Sequence, residues 1–209
     1  MIVIVDYGMG NLRSVEKAFV KLGYETCLVS DTASVARANK LVVPGVGAFG
    51  DAMKGLAARG LTEPLRQYAQ SGRPMLGICL GMQIFFEHSE EDPGIKGLGI
   101  MRGCVKRFRM TDLKIPHMGW NNIIITTSSR LLADLGTLNG GTAPKSEPYV
   151  YFVHSYYVAP DDPAVIAATA DYGIRFAAAV ESGAVMGTQF HPEKSQAVGL
   201  KILKNFARL

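Results

Sequence analysis

Residues 75–83 read Met-Leu-Gly-Ile-Cys-Leu-Gly-Met-Gln and carry the most structural information in the sequence. The apolar run at 75–78 is typical of a short buried strand, and the pattern at Leu80–Glu87 favours a helix. Cys79 therefore lies at a strand-to-helix turn, where a nucleophile is held above a sheet edge and flanking glycines permit a tight backbone path. The helix start also stabilises a thiolate, because its peptide dipoles favour negative charge. On this motif alone, a reactive thiol and an ordinary buried cysteine are equally well supported.

The rest of the first half repeats the alternation of strands and helices. Apolar runs predict the strands, and apolar residues at helical spacing predict the helices. The elements are the strands Ile2–Val5, Thr26–Val29 and Lys40–Val43 and the helices Asn11–Leu22 and Thr62–Ser71. Such alternation predicts an α/β fold with a mostly parallel central sheet and helices on both faces.

The second half of the chain has a different character. Short β-rich runs are separated by glycine, proline and aspartate, which predicts antiparallel strands added to the sheet. The runs are Val105–Phe108, Asn121–Thr126, Tyr149–Val153, Val165–Ala170, Phe176–Val180 and Val185–Thr188, and a last helix starts at Ser195. The polar stretch Thr137–Pro148 predicts an exposed loop. Because no internal repeat or low-complexity linker divides the sequence, we expect one domain over residues 1–209.

The composition argues against several classes of protein. The 209 residues are 48% hydrophobic and 19% charged, as in a globular chain rather than a disordered one. The net charge of +4 comes from scattered basic residues, so nucleic-acid binding is not expected. Three cysteines without a CxxC pair indicate a reducing compartment, and no signal peptide or membrane span is recognisable, so we expect a cytoplasmic protein. The histidines lack metal-ligand spacing, and neither a metal nor a cofactor is predicted.

A second motif, Gln-Phe-His-Pro-Glu, occupies residues 189–193. If the segment is extended, His191 and Glu193 point to the same face, because side chains alternate along a strand. A carboxylate beside an imidazole fixes its tautomer and supports its protonated form. The pair alone is weak evidence, but together with Cys79 it predicts a Cys–His–Glu triad. The long separation in sequence is no objection, since folding assembles such triads.

A third motif, Pro-Gly-Val-Gly-Ala-Phe, occupies residues 44–49 and follows a predicted strand. Its glycines allow unusual backbone angles and a close approach of backbone N–H groups to a ligand. Both properties suit an oxyanion hole. Taken in isolation, however, the motif is better explained as an ordinary strand-to-helix turn.

These three motifs, in this order, resemble those of the class I (triad-type) glutamine amidotransferases, and the resemblance extends over nearly the whole chain. It implies the flavodoxin-like fold of that family and glutamine as the substrate. It also implies Cys79 as the nucleophile, His191 as its acid and base, and Glu193 as the group that orients His191. The other implied roles are backbone N–H groups of Val46 and Leu80 in the oxyanion hole and glutamine binding by Gly47, Gln83, Ser155 and Tyr156.

Finer motifs narrow the resemblance within the family. They are Asp-Tyr-Gly-Met-Gly-Asn at 6–11, Ile-Pro-His-Met-Gly-Trp-Asn at 115–121, Tyr-Phe-Val-His-Ser-Tyr-Tyr at 151–157 and His-Pro-Glu-Lys-Ser at 191–195. These stretches are similar to those of glutaminase subunits that deliver ammonia to a (β/α)8-barrel cyclase in histidine biosynthesis. The partner contacts implied by this resemblance are Asn11, Pro116, His117, Met118, Trp120 and Lys194. The stretch Leu138–Pro148 is longer than the resemblance leads us to expect.

Other functions share parts of this pattern. A glutaminase subunit of another amidotransferase uses the same triad. A cysteine peptidase or related hydrolase also uses it, and glutaminase activity without peptidase activity would exclude that alternative. A non-catalytic binding subunit retains triad residues that never meet, and trapping of Cys79 by a glutamine-like electrophile excludes it. A redox thiol protein is a weaker alternative, because no resolving cysteine lies near Cys79 in the sequence.

Overall fold

The computed structural model describes residues 1–109, 113–135 and 148–209. The loop predicted at Thr137–Pro148 therefore lies outside the described residues, apart from Pro148 itself. Among the helices in the described ranges, none has the length and hydrophobicity of a transmembrane span.

The helices and strands follow the predicted order through most of the chain. The strands are β1 (Ile2–Val5), β2 (Thr26–Val29), β3 (Leu41–Gly45), β4 (Met75–Cys79), β5 (His88–Ser89), β6 (Gly103–Arg107), β7 (His117–Asn122), β8 (Ile124–Ile125), β9 (Tyr149–His154), β10 (Tyr156–Pro160), β11 (Ile166–Asp171), β12 (Arg175–Ser182) and β13 (Val185–Thr188). The helices are α1 (Leu12–Lys21), α2 (Thr32–Arg37), α3 (Phe49–Ala58), α4 (Thr62–Gln70), α5 (Leu80–Gln83) and α6 (Gln196–Arg208). Short 3₁₀ turns lie at Pro163–Val165 and Pro192–Lys194. Helices α2 and α3 were not predicted from the sequence.

The central sheet has, within the described residues, eight strands in the order β2-β1-β3-β4-β13-β12-β11-β8. The strands from β2 to β13 run parallel, and β12, β11 and β8 continue the sheet in antiparallel fashion. The predicted parallel core with antiparallel additions is thus confirmed. Ile78 of β4 pairs with Thr188 of β13. The strand that ends in Cys79 and the strand that leads to the second motif are therefore direct neighbours.

Hydrophobic cores lie on both faces of the sheet, as β1 illustrates. Ile2 and Ile4 pack with Phe19 of α1 and with residues of α6. Val3 and Val5 pack instead with residues of α2, α3 and α4. Because successive side chains of a strand point to opposite faces, both sides of β1 are buried, which explains its uninterrupted apolar sequence. Helices on both faces, as predicted, are confirmed.

Two smaller sheets are built from the segments between β4 and β11. One contains β5, β6 and β10, and in the other β7 pairs with β9 in antiparallel fashion, with His117 opposite His154. The run predicted at Asn121–Thr126 is divided between β7 and β8. Ser155 joins β9 to β10, so the segment predicted to bind glutamine connects the two smaller sheets.

The helix predicted at Leu80–Glu87 is wrong in length, because α5 ends at Gln83. Backbone carbonyls that a longer helix would use accept hydrogen bonds from a later loop instead, for example Ile84 O from Leu98 N at 2.8 Å. The three side chains that follow Gln83 are all buried, so this stretch lacks the polar face of a surface helix. A long-range contact, which local sequence patterns do not reveal, therefore ends the helix early.

Candidate active site

Cys79 is the last residue of β4 and immediately precedes α5. Its backbone has φ 54° and ψ −111°, a conformation that a residue other than glycine adopts only under strain. The turn depends on Gly81, where an added Cβ would lie 1.8 Å from the carbonyl oxygen of Val43. The predicted strand-to-helix turn is therefore present, and it has the strained backbone typical of a nucleophile elbow.

His191 and Glu193 follow β13, the strand beside β4. The expected extended segment is wrong, because Pro192–Lys194 form a 3₁₀ turn. The turn nevertheless brings the two side chains together, with His191 Nδ1 2.8 Å from Glu193 Oε1. Both side chains are at most 2% exposed, so the pair is shielded from water and the carboxylate fixes the orientation of the ring.

The His191 ring is held in its protonated form. Burial alone lowers its pKa, but the nearby Cys79 sulfur and the hydrogen bond to Glu193 outweigh burial and raise the pKa to about 10. In the described part of the chain, the buried side-chain polar atoms without a hydrogen-bond partner are His191 Nε2 and Glu193 Oε2. The sulfur is thus close enough to act on the ring without completing a regular hydrogen bond to Nε2. A protonated, unpartnered Nε2 is a group able to give a proton to a substrate.

The contribution of His191 to stability is expected to fall between pH 6.5 and pH 10, because folding raises its pKa from 6.5 to about 10. Within this window the folded state binds a proton that the unfolded state lacks, so the free energy of unfolding decreases as pH rises. Thermal unfolding of the unchanged protein and of His191→Gln should be compared across the window. The advantage of the unchanged protein should be largest at the acidic end. An advantage that grows with pH would contradict the protonated assignment.

A cavity of about 270 Å³ opens beside Cys79. It is lined by every residue predicted to form the oxyanion hole or to bind glutamine, namely Val46, Gly47, Leu80, Gln83, Ser155 and Tyr156. Its wall also contains residues without a predicted role in glutamine binding, namely Glu91, Pro116, Val153 and His154. A larger cavity of about 370 Å³ is lined instead by Arg66, Leu98 and their neighbours. The smaller cavity is the candidate site, because its wall contains Cys79 together with the residues predicted to bind glutamine.

Two buried glutamines connect the cavity wall to the thiol. Gln83 Nε2 donates to the Tyr156 carbonyl at 3.0 Å and to Gln189 Oε1 at 3.1 Å. Gln189 Nε2 in turn donates to Cys79 Sγ at 3.7 Å. The reversed amide of Gln189 would set its NH₂ group against that of Gln83, so this network fixes its orientation. The role of Gln189 was not predicted from the sequence, because no spacing rule reveals a contact across 110 residues.

Glu91 and Asp92 cap the helix that follows the motif at 44–49. Glu91 Oε2 accepts a hydrogen bond from Phe49 N–H, and Asp92 Oδ2 accepts one from Gly50 N–H, each at 2.8 Å. The carboxylates satisfy donors that have no acceptor within α3 and complement its dipole. The far end of the motif is thereby anchored. Neither acidic residue was predicted from the sequence, because each lies 42 residues from its partner.

An aromatic and apolar surface lies on β7 and β9. Met118 and Trp120 are 62% and 48% exposed. Trp120 packs edge-on against Tyr151, with ring centroids 6.1 Å apart, and Lys194 Nζ lies 5.8 Å from the centroid of the Tyr151 ring. The structure therefore brings Met118, Trp120 and Lys194, three of the implied partner contacts, to neighbouring positions on the strands and the 3₁₀ turn.

The remaining implied partner contacts differ in exposure. Asn11 precedes α1 and is exposed, as is Pro116, which also lines the cavity. His117 is only 3% exposed, because it faces inward opposite His154 in the ladder of β7 and β9. The expectation of a direct contact from the His117 side chain to a partner is therefore not met by this geometry.

Comparison of the sequence with known proteins agrees with the motifs. The sequence profile described as "Glutamine amidotransferase class-I" matches residues 3–209. The "Imidazole glycerol phosphate synthase subunit HisH" of Syntrophotalea carbinolica is 55% identical over 212 residues, which cover 99% of this chain and 98% of that protein. The protein of the same name from Geobacter metallireducens is 50% identical over 212 residues, which cover 99% of this chain and 97% of that protein.

Solved structures share the fold at low sequence identity. The structure of PurLQS from Thermotoga maritima has a TM-score of 0.73 at 18% identity, covering 99% of this chain and 97% of the other. A crystal structure described as a glutamine amidotransferase also has a TM-score of 0.73, at 19% identity, covering 99% and 100% of the two chains. At such identities the agreement concerns the fold, and it confirms the fold class predicted from the sequence.

Proposed function

Because the chain belongs to the class-I glutamine amidotransferases, and within them to the HisH subunits of imidazole glycerol phosphate synthase, we propose that it hydrolyses glutamine for that synthase. The ammonia passes to a (β/α)8-barrel cyclase subunit, which forms imidazole glycerol phosphate and an aminoimidazole-carboxamide ribonucleotide in histidine biosynthesis. One observation carries the proposal: Cys79, His191 and Glu193 meet at the ends of neighbouring strands, with Cys79 opening onto the 270 Å³ cavity.

The first half of the reaction forms a thioester on Cys79. The thiolate attacks the side-chain amide carbon of glutamine, and a C–S bond forms while the carbonyl electron pair moves onto oxygen. His191 Nε2 then gives its proton to the amide nitrogen, the C–N bond breaks, and ammonia leaves. The pKa of about 10 keeps His191 protonated until the leaving group needs that proton.

The second half of the reaction hydrolyses the thioester. His191, now neutral, removes a proton from water, and the resulting hydroxide attacks the thioester carbon. The C–S bond breaks, the sulfur leaves as a thiolate, and His191 is protonated again. Glutamate leaves after losing one proton to solvent. Glu193 stays ionised and holds the ring through Nδ1 in both halves.

The oxyanion of both tetrahedral intermediates is assigned to backbone N–H groups of Val46 and Leu80. Leu80 is the first residue of α5, so its N–H has no acceptor within the helix. Val46 lines the same cavity as the thiol. Preorganised donors of this kind stabilise the charge that develops on oxygen in the transition state.

The glutamine head group is assigned to the wall formed by Tyr156, Gln83, Gly47 and Glu91. Phe108 N–H donates to the Ser155 carbonyl at 3.1 Å, so the backbone carbonyl of Ser155 points toward β6. Residues alternate in an antiparallel ladder, so the N–H of Tyr156 points away from β6, on the side where Gln83 holds its carbonyl. That N–H suits the substrate carboxylate, and the carboxylate of Glu91 suits the substrate ammonium group.

The surface of Met118, Trp120 and Lys194 is assigned to the cyclase, with Asn11 and Pro116 as further contacts. Exposed Met and Trp side chains are enriched at the centre of protein interfaces, and a lysine at the edge adds charge selectivity. Pro116 is exposed and also lines the cavity, so this surface adjoins the glutamine site. Ammonia is thus released close to the proposed partner.

Reconstitution with the cyclase subunit tests this function. Glutamate release and imidazole glycerol phosphate formation are measured together, and the two products should appear in equal amounts. A cyclase that works with ammonium salts but not with this chain would indicate a glutaminase of another amidotransferase. Peptide cleavage would indicate a peptidase, and failure of a glutamine-like electrophile to label Cys79 would indicate a binding subunit.

The isolated chain is expected to hydrolyse glutamine slowly, and the partner to accelerate it about 100- to 1,000-fold, the effect of gaining one oxyanion donor. The N–H of Val46 belongs to the peptide that joins Gly45 to Val46, and the glycines of the motif at 44–49 let its peptide planes take more than one orientation at modest cost. One orientation aims an N–H at the oxyanion and another aims a carbonyl there. A partner that binds the competent orientation more tightly increases its population.

The measurement compares glutaminase rates of the chain alone, with the cyclase, and with the cyclase plus a synthase ligand. Because Glu91 and Asp92 anchor Phe49 and Gly50, the change should be confined to the residues before them. Equal rates in all three conditions would show that the oxyanion hole is preformed.

A further inference from the structure

A chain of hydrogen bonds leads from β7 to the glutamine cavity through two buried histidines. Asn121 Nδ2 lies 3.3 Å from His117 Nε2, and His117 Nδ1 lies 2.9 Å from His154 Nε2. His154 Nδ1 lies 2.8 Å from the Tyr156 carbonyl oxygen. Neither histidine takes part in the triad chemistry, and this chain of contacts (the histidine relay) ends at the residue assigned to the substrate carboxylate.

The proton positions in the histidine relay follow from its two ends. The amide nitrogen of Asn121 is a donor, so His117 Nε2 accepts and His117 Nδ1 carries the proton. That proton is donated to His154 Nε2, which leaves the His154 proton on Nδ1, facing the Tyr156 carbonyl. Both rings are therefore neutral. Burial agrees with this, since it lowers the pKa of His117 to about 4 and that of His154 to about 3.

Aromatic side chains hold the two rings in place. The His117 ring stacks on Phe152 at 4.7 Å and on Tyr172 at 4.1 Å between centroids. Phe108 packs against His117 at 6.5 Å and against His154 at 5.3 Å. Rotation of either ring would disturb these contacts and leave buried nitrogens without partners, so the relay is a rigid connection.

We propose that His154 is a positioning residue for glutamine and that His117 makes the position of Tyr156 depend on strand β7. This inference rests on the proposed function. The Tyr156 carbonyl receives two donors, from Gln83 and from His154, which together fix the conformation of the residue at the cavity wall. The other end of the relay lies on β7, whose outward side chains Met118 and Trp120 belong to the proposed cyclase surface. Docking there acts on Tyr156 without moving the triad.

Two substitutions of His154 separate the two bonds that its ring makes. The amide nitrogen of asparagine occupies the δ position, so His154→Asn keeps a donor for Tyr156 and loses the contact with His117. Glutamine reaches the ε position, so His154→Gln keeps the contact with His117 and loses the donor for Tyr156. In the complex with the cyclase, His154→Gln should raise the KM for glutamine about tenfold, with a smaller change in kcat. His154→Asn should recover most of this loss.

Removal of the cyclase tests the link to β7. It should raise the KM of the unchanged protein and change that of His154→Asn much less, because this variant no longer contacts His117. His88→Gln is the control, since His88 is exposed on β5 and should leave KM unchanged. Thermal unfolding of each variant reports whether the fold is retained.

Several results would overturn the inference. Equal rises of KM in both His154 variants, or a lowered unfolding temperature with unchanged KM, would mean that the histidines serve only to stabilise the fold. An equal effect of the cyclase on the KM of His154→Asn and of the unchanged protein would refute the link to β7. Glutamine affinity measured by calorimetry in a Cys79→Ala background should fall in His154→Gln and should be mostly recovered in His154→Asn. If the unchanged protein does not hydrolyse glutamine, the proposed function fails, while these affinities still decide the positioning role.

Discussion

Cys79→Ala is expected to lower glutamine hydrolysis by at least about 10,000-fold in the complex, because loss of a nucleophile removes the covalent path altogether. Synthesis from ammonium salts should continue, since the cyclase holds that chemistry. Glutamine binding should also persist, because the cavity wall is built from other side chains and from backbone groups. The expected signature is therefore a complex that binds glutamine, releases no glutamate and still uses ammonia.

Glutamate release at saturating glutamine and product formation from ammonium salts are the two measurements. Cys104→Ala is a matched control, because Cys104 lies on β6 outside the cavity wall and should leave both rates near those of the unchanged protein. Appreciable glutaminase activity in Cys79→Ala would show that the nucleophile is assigned wrongly. Loss of the ammonium-dependent reaction would point instead to damage of the subunit contact.

His191→Ala should be nearly as damaging, with a loss of about 1,000- to 10,000-fold, because one ring gives the proton to ammonia and takes one from water. The rate loss in Glu193→Ala should be about ten- to a hundredfold smaller, because Glu193 orients the ring and transfers no proton. The 2.8 Å contact between the two side chains is the structural reason for this order.

Single-turnover assays of the single and double variants test whether the triad acts as one catalytic unit. The double variant of Cys79 and His191 should be little worse than either single variant, because each alone removes the same covalent path. Losses that multiply would mean that the two residues act independently. A Glu193→Ala variant as inactive as His191→Ala would mean that the carboxylate does more than hold the ring.

The sequence predicts those parts of the protein that depend on local pattern. The parallel strands β1, β3, β4 and β13 are buried on both faces, and the mostly apolar sequences of β1, β3 and β4 are recognisable without tertiary information. The turn at Cys79 is equally local, because glycines on both sides are required by close backbone contacts, as at Gly81. The pairing of His191 with Glu193 was predicted from the wrong backbone shape, and it survives because two residues in one short turn still meet.

The missed features of the site depend on contacts between distant segments. Gln189 reaches Cys79 across 110 residues, and Glu91 caps Phe49 across 42. His117 faces inward because β7 pairs with β9, a register that local pattern does not fix. The early end of α5 has the same origin, since a later loop takes the carbonyls that the helix would use. Such contacts need the assembled sheet before any of them can be recognised.

The direct pairing of β4 with β13 sets the nucleophile and its base in one rigid frame. Ile78 and Thr188 lie side by side, so the nucleophile and its base are set by one strand register and not by the length of chain between them. That intervening chain builds the smaller sheets, the surface of Met118 and Trp120, and the wall at Tyr156. The same intervening chain also contains Leu80, Gln83 and the strands β11 and β12 of the central sheet, so it supplies substrate-binding groups as well as a partner surface. Changes confined to the outward side chains Met118 and Trp120 would therefore alter the partner surface and leave the bond-making geometry as it is.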